Sequence, residues 1–277
     1  MLPADDHVHS EWSWDTTAGS MELTCRRAVQ LGLPSLAFTD HADFAPRVLT
    51  AGSDVPEALL PLVDAGKVLH PSELDVDGYL AELERCRAAY PQLRIHSGVE
   101  LSEPHWHSAD ATELLRRGGF ERTLASVHSA RVAAGYADVS SRYDEQPPYD
   151  VVRDYLVEAA AMVEGFGGFE VLAHIDFAVR YWPAGAPPYD PGEHEEEHRR
   201  VLRALVDSDR ILEVNTRVPL HPQVLAWWRE EGGRAVTFAS DAHRPGDLAA
   251  GFAEAVRVAR AAGFRPDSDP CGFWVRD

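Results

Sequence analysis

Two histidines near the start of the sequence, His7 and His9, are separated by one residue and followed by Asp15. Side chains on an extended strand alternate between its faces, so both imidazoles would lie on the same side, about 6 to 7 Å apart along the strand. At that distance the two rings can share one metal ion. The pattern also fits an N-terminal strand with two exposed histidines, and the pair alone does not decide between these interpretations.

Further side chains able to bind a metal recur along the chain, each near the end of an apolar segment. They are His41, Glu100, His128, His174, Asp241 and His243. One histidine in such a place is more often structural than a ligand, but six of the 13 histidines, counting His7 and His9, occur in such places, with carboxylates in reach. Imidazole and carboxylate ligands without thiolate suit Zn²⁺, Fe²⁺ or Mn²⁺, and several such ions can share a bridging carboxylate. The set predicts a metal centre.

The apolar segments alternate with helical patterns, which predicts a parallel α/β sheet. Seven strands are predicted, at residues 4–10, 35–39, 93–101, 123–127, 169–173, 210–214 and 235–239. This number favours a closed TIM-like barrel over an open sheet, and functional residues of such barrels lie where strands end and loops begin. No linker divides residues 1–277, so we expect a single domain.

Three stretches lack a clear period. Residues 42–75, broken by prolines and by glycines including Gly52, are predicted to be a long excursion over one end of the fold, such as a lid. Residues 129–149 are predicted to be an irregular loop, and the chain after a final helix at 247–262 is predicted to be a short tail.

Composition limits the partners. A formal net charge of −19 argues against nucleic acid and anionic membranes, both of which require a basic face. Three cysteines without a CxxC pair support neither a disulfide framework nor a cysteine-based zinc site, and a reducing cytoplasm fits them best. Residues 1–5 lack the features of a signal peptide, and no apolar run reaches membrane-spanning length. We therefore expect a cytoplasmic protein with a small-molecule substrate.

Taken in order, these segments resemble the polymerase-and-histidinol-phosphatase (PHP) metallophosphoesterases. The matching segments are Asp6-His7-Val8-His9-Ser10, Thr39-Asp40-His41, Gly98-Val99-Glu100, Ser126-Val127-His128, Ala173-His174-Ile175-Asp176 and Ser240-Asp241-Ala242-His243. Each segment is weak evidence alone, but they occur in the family's order across residues 6–243. The resemblance implies a distorted (β/α)₇ barrel that holds three divalent metal ions.

The resemblance also implies three ligand sets. The first metal would be bound by His7, His9, Glu100 and Asp241, and the second by Glu100, His128 and His174, so that Glu100 bridges. The third would be bound by Asp15, His41 and His243. Relatives carry either histidine or aspartate at the position of Asp15.

Within the family, the likeness is to monofunctional histidinol-phosphate phosphatases, through Asp241-Ala242-His243-Arg244-Pro245 and Leu212-Glu213-Val214-Asn215-Thr216. It implies hydrolysis of a small phosphate monoester, L-histidinol phosphate, by a metal-activated hydroxide. Another monoester or a phosphodiester is the alternative substrate.

Other residues receive supporting roles. Arg180 and Arg217 follow the fifth and sixth strands and could bind the phosphate bidentately, although two ordinary surface arginines fit equally well. Asp241 or His243 could protonate the leaving alkoxide. Asp40 and Asp176, each near a histidine, are predicted to orient the imidazoles.

Three other classes stay open. The run from His194 to His198 matches the HExxH pattern of zinc proteases, although a solvated first helical turn explains a glutamate-rich run just after Pro191-Gly192 better. An amidohydrolase-type barrel also begins with His-x-His, but its usual carbamylated lysine is hard to supply when Lys67 is the only lysine. A barrel retained for binding without catalysis is the third class.

Overall fold

The protein is described by a computed structural model covering residues 2–50 and 55–277, so Gly52 of the predicted excursion lies outside the described residues. The described chain contains these strands: β1 (Asp5–Val8), β2 (Ser35–Asp43), β3 (Arg47–Val48), β4 (Val68–Leu69), β5 (Arg94–Ser102), β6 (Arg122–Ser126), β7 (Ser129–Val132), β8 (Gly135–Asp138), β9 (Val171–Leu172), β10 (Ile211–Asn215), β11 (Ala235–Ala239), β12 (Phe264–Pro266) and β13 (Trp274–Arg276).

Seven α-helices accompany the strands in this part of the chain: α1 (Met21–Leu31), α2 (Val76–Ala89), α3 (Ser108–Gly118), α4 (Pro148–Gly165), α5 (Glu195–Asp207), α6 (Pro222–Glu230) and α7 (Phe252–Ala261). Their ends follow local sequence signals. The Ser20 side chain accepts a hydrogen bond from the Leu23 N–H and caps α1, and Gly32 ends this helix at a positive φ of 71°. None of the helices described combines the length and apolar character needed to cross a bilayer.

The seven predicted strands form one parallel sheet in the order β1-β2-β5-β6-β9-β10-β11. Its two edges meet through a parallel bridge between Val8 and Ala242 and through the bond from the His9 N–H to the Ala242 carbonyl, 2.9 Å long. The predicted distorted (β/α)₇ barrel is thereby confirmed. Its distortion is visible at β9, which has two residues, and at the closure, where a short bridge replaces a full ladder.

Buried aliphatic and aromatic side chains hold the helices against this sheet. The hydroxyl of Tyr79, on α2, donates to the Phe38 carbonyl at 2.7 Å and accepts from the Gly98 N–H at 2.8 Å, which fixes the helix over two adjacent strands. Gly98 has to be small, because an added Cβ would lie 2.9 Å from the Phe38 carbonyl oxygen. These contacts position β2 and β5, which carry His41 and Glu100.

Two predictions about irregular segments are wrong. Residues 129–149 contain the antiparallel hairpin β7–β8 and a 3₁₀-helix at Val139–Asp144. The C-terminal tail forms β12 and β13, and β13 adds an antiparallel strand to β11. The final helix begins later than predicted, at Phe252. The excursion after β2 contains the small antiparallel pair β3–β4, and its role as a lid stays a prediction.

Candidate metal centre

The nine predicted ligands all lie at the carboxyl-terminal mouth of the barrel. Six parallel strands or the residues just after them supply eight of the nine, and Asp15 follows β1 in the next loop. The structure therefore brings together His7, His9, Asp15, His41, Glu100, His128, His174, Asp241 and His243, although they span 237 positions of the sequence from 7 to 243. Their gathering follows from parallel topology, which places every strand's C-terminal end on the same side.

The first predicted ligand set forms a compact group around the Nε2 atoms of His7 and His9, which lie 3.1 Å apart. Glu100 Oε2 lies 3.2 Å from the His7 nitrogen and 3.5 Å from the His9 nitrogen. Asp241 Oδ1 lies 3.3 Å from His9 Nε2 and 4.0 Å from His7 Nε2. Ligand atoms around a tetrahedral ion with bonds near 2.1 Å are about 3.4 Å apart, so this spacing fits one ion.

The second set uses the other oxygen of the same glutamate. Glu100 Oε1 lies 2.9 Å from His174 Nε2 and 3.4 Å from His128 Nε2, and the two imidazole nitrogens are 3.4 Å apart. The two oxygens of Glu100 thus face different histidines: Oε1 faces those of the second set, and Oε2 faces those of the first set together with His41 Nδ1, at 3.0 Å. This is the arrangement that a bridging carboxylate requires.

The third set lies nearest to solvent. Asp15 Oδ2 is 3.1 Å from His243 Nε2 and 3.5 Å from His41 Nε2. Nitrogens of His9, His41 and His243 also lie close enough together to hold a cation. Three histidines and one carboxylate are therefore available for a further ion at this edge of the centre.

The chemistry of these atoms fits cations. His7 Nδ1 lies 2.8 Å from Glu213 Oε2, and His9 Nδ1 lies 3.0 Å from Ser13 Oγ. If the Nδ1 atoms carry the protons, both Nε2 lone pairs point at each other and at carboxylates, which is unfavourable unless a positive charge lies between them. Glu100 Oε2 is buried without an aligned hydrogen bond, which is also expected of an oxygen placed for a metal.

The electrostatics agree with this interpretation. Burial opposes ionisation of Glu100, Asp15 and Asp241, but the neighbouring histidines hold the pKa of each carboxyl well below its usual range. Burial likewise opposes a charge on His7, yet Glu213 and Glu100 raise the pKa of this imidazole well above its usual value. In the absence of a metal ion, a proton on His7 supplies the positive charge that the surrounding carboxylates favour.

The groups that orient the imidazoles differ from those predicted. Asp40 accepts hydrogen bonds from the backbone and hydroxyl of Ser10, both at 2.6 Å, and so fixes the turn after β1. Asp176 makes no hydrogen bond to a histidine in the described chain. The imidazoles are held by other residues: Glu213 on His7, Ser13 on His9 and Ser102 on His128.

Asp43 is a second residue that sequence reasoning missed. It ends β2, and one of its oxygens lies close enough to nitrogens of His41 and His128 for the three atoms to bind one ion. Its oxygens already have partners, however, because Oδ1 accepts from the Ser102 hydroxyl and Oδ2 forms an ion pair with Arg47. Asp43 therefore supports the mouth of the barrel rather than completing a ligand set.

The open side of the centre is a cavity of about 200 Å³. Both predicted phosphate-binding arginines line it: Arg180 donates to Asp241 Oδ2 at 2.6 Å, and Arg217 Nη1 lies 2.9 Å from His243 Nδ1. Arg47 is a third arginine in this wall, which the sequence did not single out. The cavity is therefore lined both by carboxylates of the predicted ligand sets and by guanidinium groups, which are suited to bind a phosphate.

The rival motifs lie elsewhere. His194 and His198 are buried, and their ring nitrogens contact backbone carbonyls of Tyr149 and His194 at 2.8 and 2.9 Å. The predicted solvated turn is thus wrong for the histidines, because amphipathic α5 turns His198 into the core, while Glu195 and Glu196 are exposed. Lys67 is exposed in the turn before β4 and cannot bridge metals in the barrel.

Comparison with known proteins decides the family. The PHP domain matches residues 5–217. The chain belongs to the PHP family. The match ends before Asp241 and His243, so these two residues are placed by the barrel geometry and not by the matched region.

Among the relatives of this chain, the Lactococcus lactis protein named histidinol-phosphatase is 24% identical over 88% of this chain and 85% of its own length. A Thermotoga maritima protein named probable histidinol-phosphatase is 25% identical over 91% and 89%, respectively. The fold is shared with the crystal structure of the Lactococcus lactis histidinol phosphate phosphatase in complex with Zn, L-histidinol and phosphate. The TM-score is 0.79, with 21% identity and 95% of both chains covered.

Proposed function

We propose that this PHP protein is a metal-dependent phosphatase that hydrolyses L-histidinol phosphate to L-histidinol and phosphate. The observation that carries the proposal is the position of Glu100, whose two oxygens face two histidine groups beside a cavity lined by Arg180 and Arg217. Metal ligands and phosphate-binding groups in one cavity are what metal-assisted hydrolysis of a phosphate ester requires.

The choice of substrate is supported by the relatives. The alignments with the Lactococcus lactis histidinol-phosphatase and the Thermotoga maritima probable histidinol-phosphatase cover most of the length of each relative. The solved relative contains L-histidinol and phosphate together, which are the two products of the proposed reaction.

We propose that the centre holds three divalent ions, of zinc, iron or manganese, in the three sets described above. Zinc is present in the solved relative. When bound, such ions would lower the pKa of a coordinated water toward ~7 and neutralise phosphate charge. The ligands would divide as the family resemblance implies, with Glu100 shared between the first and second sets and Asp15, His41 and His243 in the third.

The protein's own residues would bind the ester and manage its protons. Arg180 and Arg217 would donate to the phosphate oxygens and balance the charge that develops there. His9 and Arg180 hold the pKa of Asp241 well below its usual range against the effect of burial, so we propose that Asp241 stays an ionised metal-binding carboxylate and does not protonate the leaving alkoxide. His243, which lines the same cavity, is then the proposed proton donor to the leaving alkoxide.

The test is phosphate release from L-histidinol phosphate and from a panel of other monoesters and a diester, with and without a chelator. We expect hydrolysis that is lost on chelation and restored by added divalent metal, and that is abolished in His9→Ala and Glu100→Ala. His70→Ala, which changes an exposed histidine paired with Asp64, is the matched control and should be unaffected. Intact turnover in the His9 and Glu100 variants would refute the site assignment.

For its location we retain the cytoplasm as a proposal. Cysteine usage supports it, since Cys25, Cys86 and Cys271 are all free and buried, as suits a reducing compartment.

A further inference from the structure

Asp138 ends β8 of the hairpin that the sequence did not predict, and the hairpin places it beside the metal centre. In the β7–β8 register Asp138 pairs with Ser129, the residue that follows His128. The next residue, Val139, donates its N–H to the His128 carbonyl at 2.9 Å. Asp138 is therefore attached by backbone bonds to the segment that carries a metal ligand, and its position relative to that ligand is fixed.

Asp138 differs from the other carboxylates in the wall of the cavity. Asp241 pairs with Arg180, and Asp43 pairs with Arg47. Asp15 lies within 3.1 to 3.5 Å of His243 and His41. Asp138 lines the same cavity but has no ion-pair partner among the residues described. Its charge contributes, after those of Asp43 and Glu103, to raising the pKa of Arg47 against the effect of burial, but no cationic side chain of the described residues forms a close ion pair with it.

The carboxylate of Asp138 is also held in place. One oxygen, Oδ1, accepts the Ser140 N–H at 2.8 Å, and Oδ2 makes no hydrogen bond within the described chain. Its charge reaches across the cavity, since burial and then Asp138 raise the pKa of Tyr181 to about 12. A fixed oxygen with free lone pairs, close to phosphate-binding arginines, is suited to accept hydrogen bonds from a cation on the phosphate ester.

We propose that Asp138 binds the ammonium group of the leaving alcohol, and so selects phosphate monoesters that carry an amine close to the ester oxygen. This inference rests on the proposed function and deepens it by naming a specificity-determining residue. In L-histidinol phosphate the ammonium is on the carbon next to the ester CH₂. If the arginines bind the phosphate group of this ester, its ammonium group lies close enough to contact the Asp138 carboxylate in the same small cavity.

The experiment compares two substrates that differ only in the amine: L-histidinol phosphate and 3-(imidazol-4-yl)propyl phosphate. In Asp138→Asn, whose amide oxygen can still accept the Ser140 N–H, we expect kcat/KM for the amine substrate to fall about 10- to 100-fold, chiefly through KM. The value for the amine-free substrate should change less than about twofold. Asp144→Asn, an exposed charge change on the adjoining 3₁₀-helix, is the control and should alter neither value.

Equal losses for both substrates would overturn the proposal, because they would show a structural effect of the substitution. So would a wild-type protein that prefers the amine-free ester. If the wild type hydrolyses monoesters but not L-histidinol phosphate, the substrate assignment fails separately. Asp138 is then judged with O-phosphoethanolamine against ethyl phosphate, where absence of an Asp138-dependent preference overturns the inference.

Discussion

His7 Nδ1 lies 2.8 Å from Glu213 Oε2, a contact between residues 206 positions apart in which both side chains are fully buried. Glu213 lies on β10, and its other oxygen accepts the backbone N–H of His174 at 3.0 Å. The Glu213 carboxylate thus orients the imidazole of His7, from the first set, and fixes the backbone at His174, from the second set. Such outer partners fix the tautomer of a metal-binding imidazole and raise its basicity.

Replacing this glutamate should weaken metal binding without removing a ligand. In Glu213→Gln the side chain keeps its size, but the acceptor for His7 Nδ1 loses its charge. We expect the apparent affinity for Zn²⁺ to fall about 10- to 100-fold, measured by competition with a chromogenic chelator. Glu164→Gln, which removes an exposed ion pair with Arg200, is the control. An unchanged affinity in Glu213→Gln would contradict the orienting role.

The shared carboxylate leads to a prediction about stoichiometry. Because one oxygen of Glu100 faces each of two proposed ligand sets, Glu100→Gln should lower the metal content from the proposed three ions per chain to about one. Asp15→Asn should remove only the ion of the third set, since its contacts are with His41 and His243. Metal analysis after gel filtration distinguishes the two variants. Loss of a single ion in Glu100→Gln would show that the carboxylate does not bridge.

The main features of the barrel, and the gathering of the predicted ligands at its mouth, could be predicted because both follow from local signals. Each parallel strand is a short apolar run, and in six of the seven a predicted ligand, a histidine, a glutamate or an aspartate, lies near the C-terminal end. Parallel topology then brings these ends together without any knowledge of side-chain contacts. Short segments far apart in the sequence, such as Thr39-Asp40-His41 and Ser240-Asp241-Ala242-His243, were therefore sufficient to predict that these side chains meet at one end of the barrel.

The missed features depend on contacts that periodicity does not carry. The β7–β8 hairpin has a weak alternating pattern, and Tyr136 on it stacks against Trp106 at a ring separation of 4.9 Å, a partner about 30 residues earlier. The C-terminal strand β13 likewise depends on Trp274 packing against Phe238. Glu213 left one usable signal, a charged residue inside an otherwise apolar strand, which indicates a buried partner.

The two arginines of the cavity should contribute to phosphate binding separately from the metals. A charge-assisted hydrogen bond is worth about 1.5–3 kcal/mol, so Arg180→Gln and Arg217→Gln should each lower kcat/KM about 10- to 100-fold. We expect the larger loss for Arg180, because its replacement also leaves Asp241 Oδ2 without its ion pair. Inhibition by inorganic phosphate should weaken by a similar factor while metal content is retained.

Arg116→Gln, which changes an exposed arginine paired with Glu113, serves as the control for both variants. Phosphate inhibition that is as strong in Arg180→Gln and Arg217→Gln as in the wild type would place the phosphate elsewhere in the cavity. Metal loss in either variant would instead show that the arginines act by supporting the ligands.

The HExxH histidines should affect stability and not catalysis. His198 is buried on α5, and burial lowers the pKa of its imidazole to about 4. Between pH 6.5 and 4 the unfolded state binds a proton that the folded state excludes. Protonation of His198 therefore has no effect on stability above pH 6.5. As the pH falls from 6.5 to 4, it lowers the free energy of unfolding by about 3 kcal/mol. Replacing this group should remove that part of the pH dependence.

The measurement is urea unfolding of the wild type and His198→Gln at pH 7.5 and pH 5. At pH 7.5 the variant should be less stable, because a buried ring in contact with Trp227 is lost. At pH 5 the difference should shrink, since only the wild type has lost stability through this imidazole. Metal content and turnover should equal those of the wild type at pH 7.5. A variant that loses metal would revive the protease-type site, and a gap that widens at pH 5 would contradict the lowered pKa of His198.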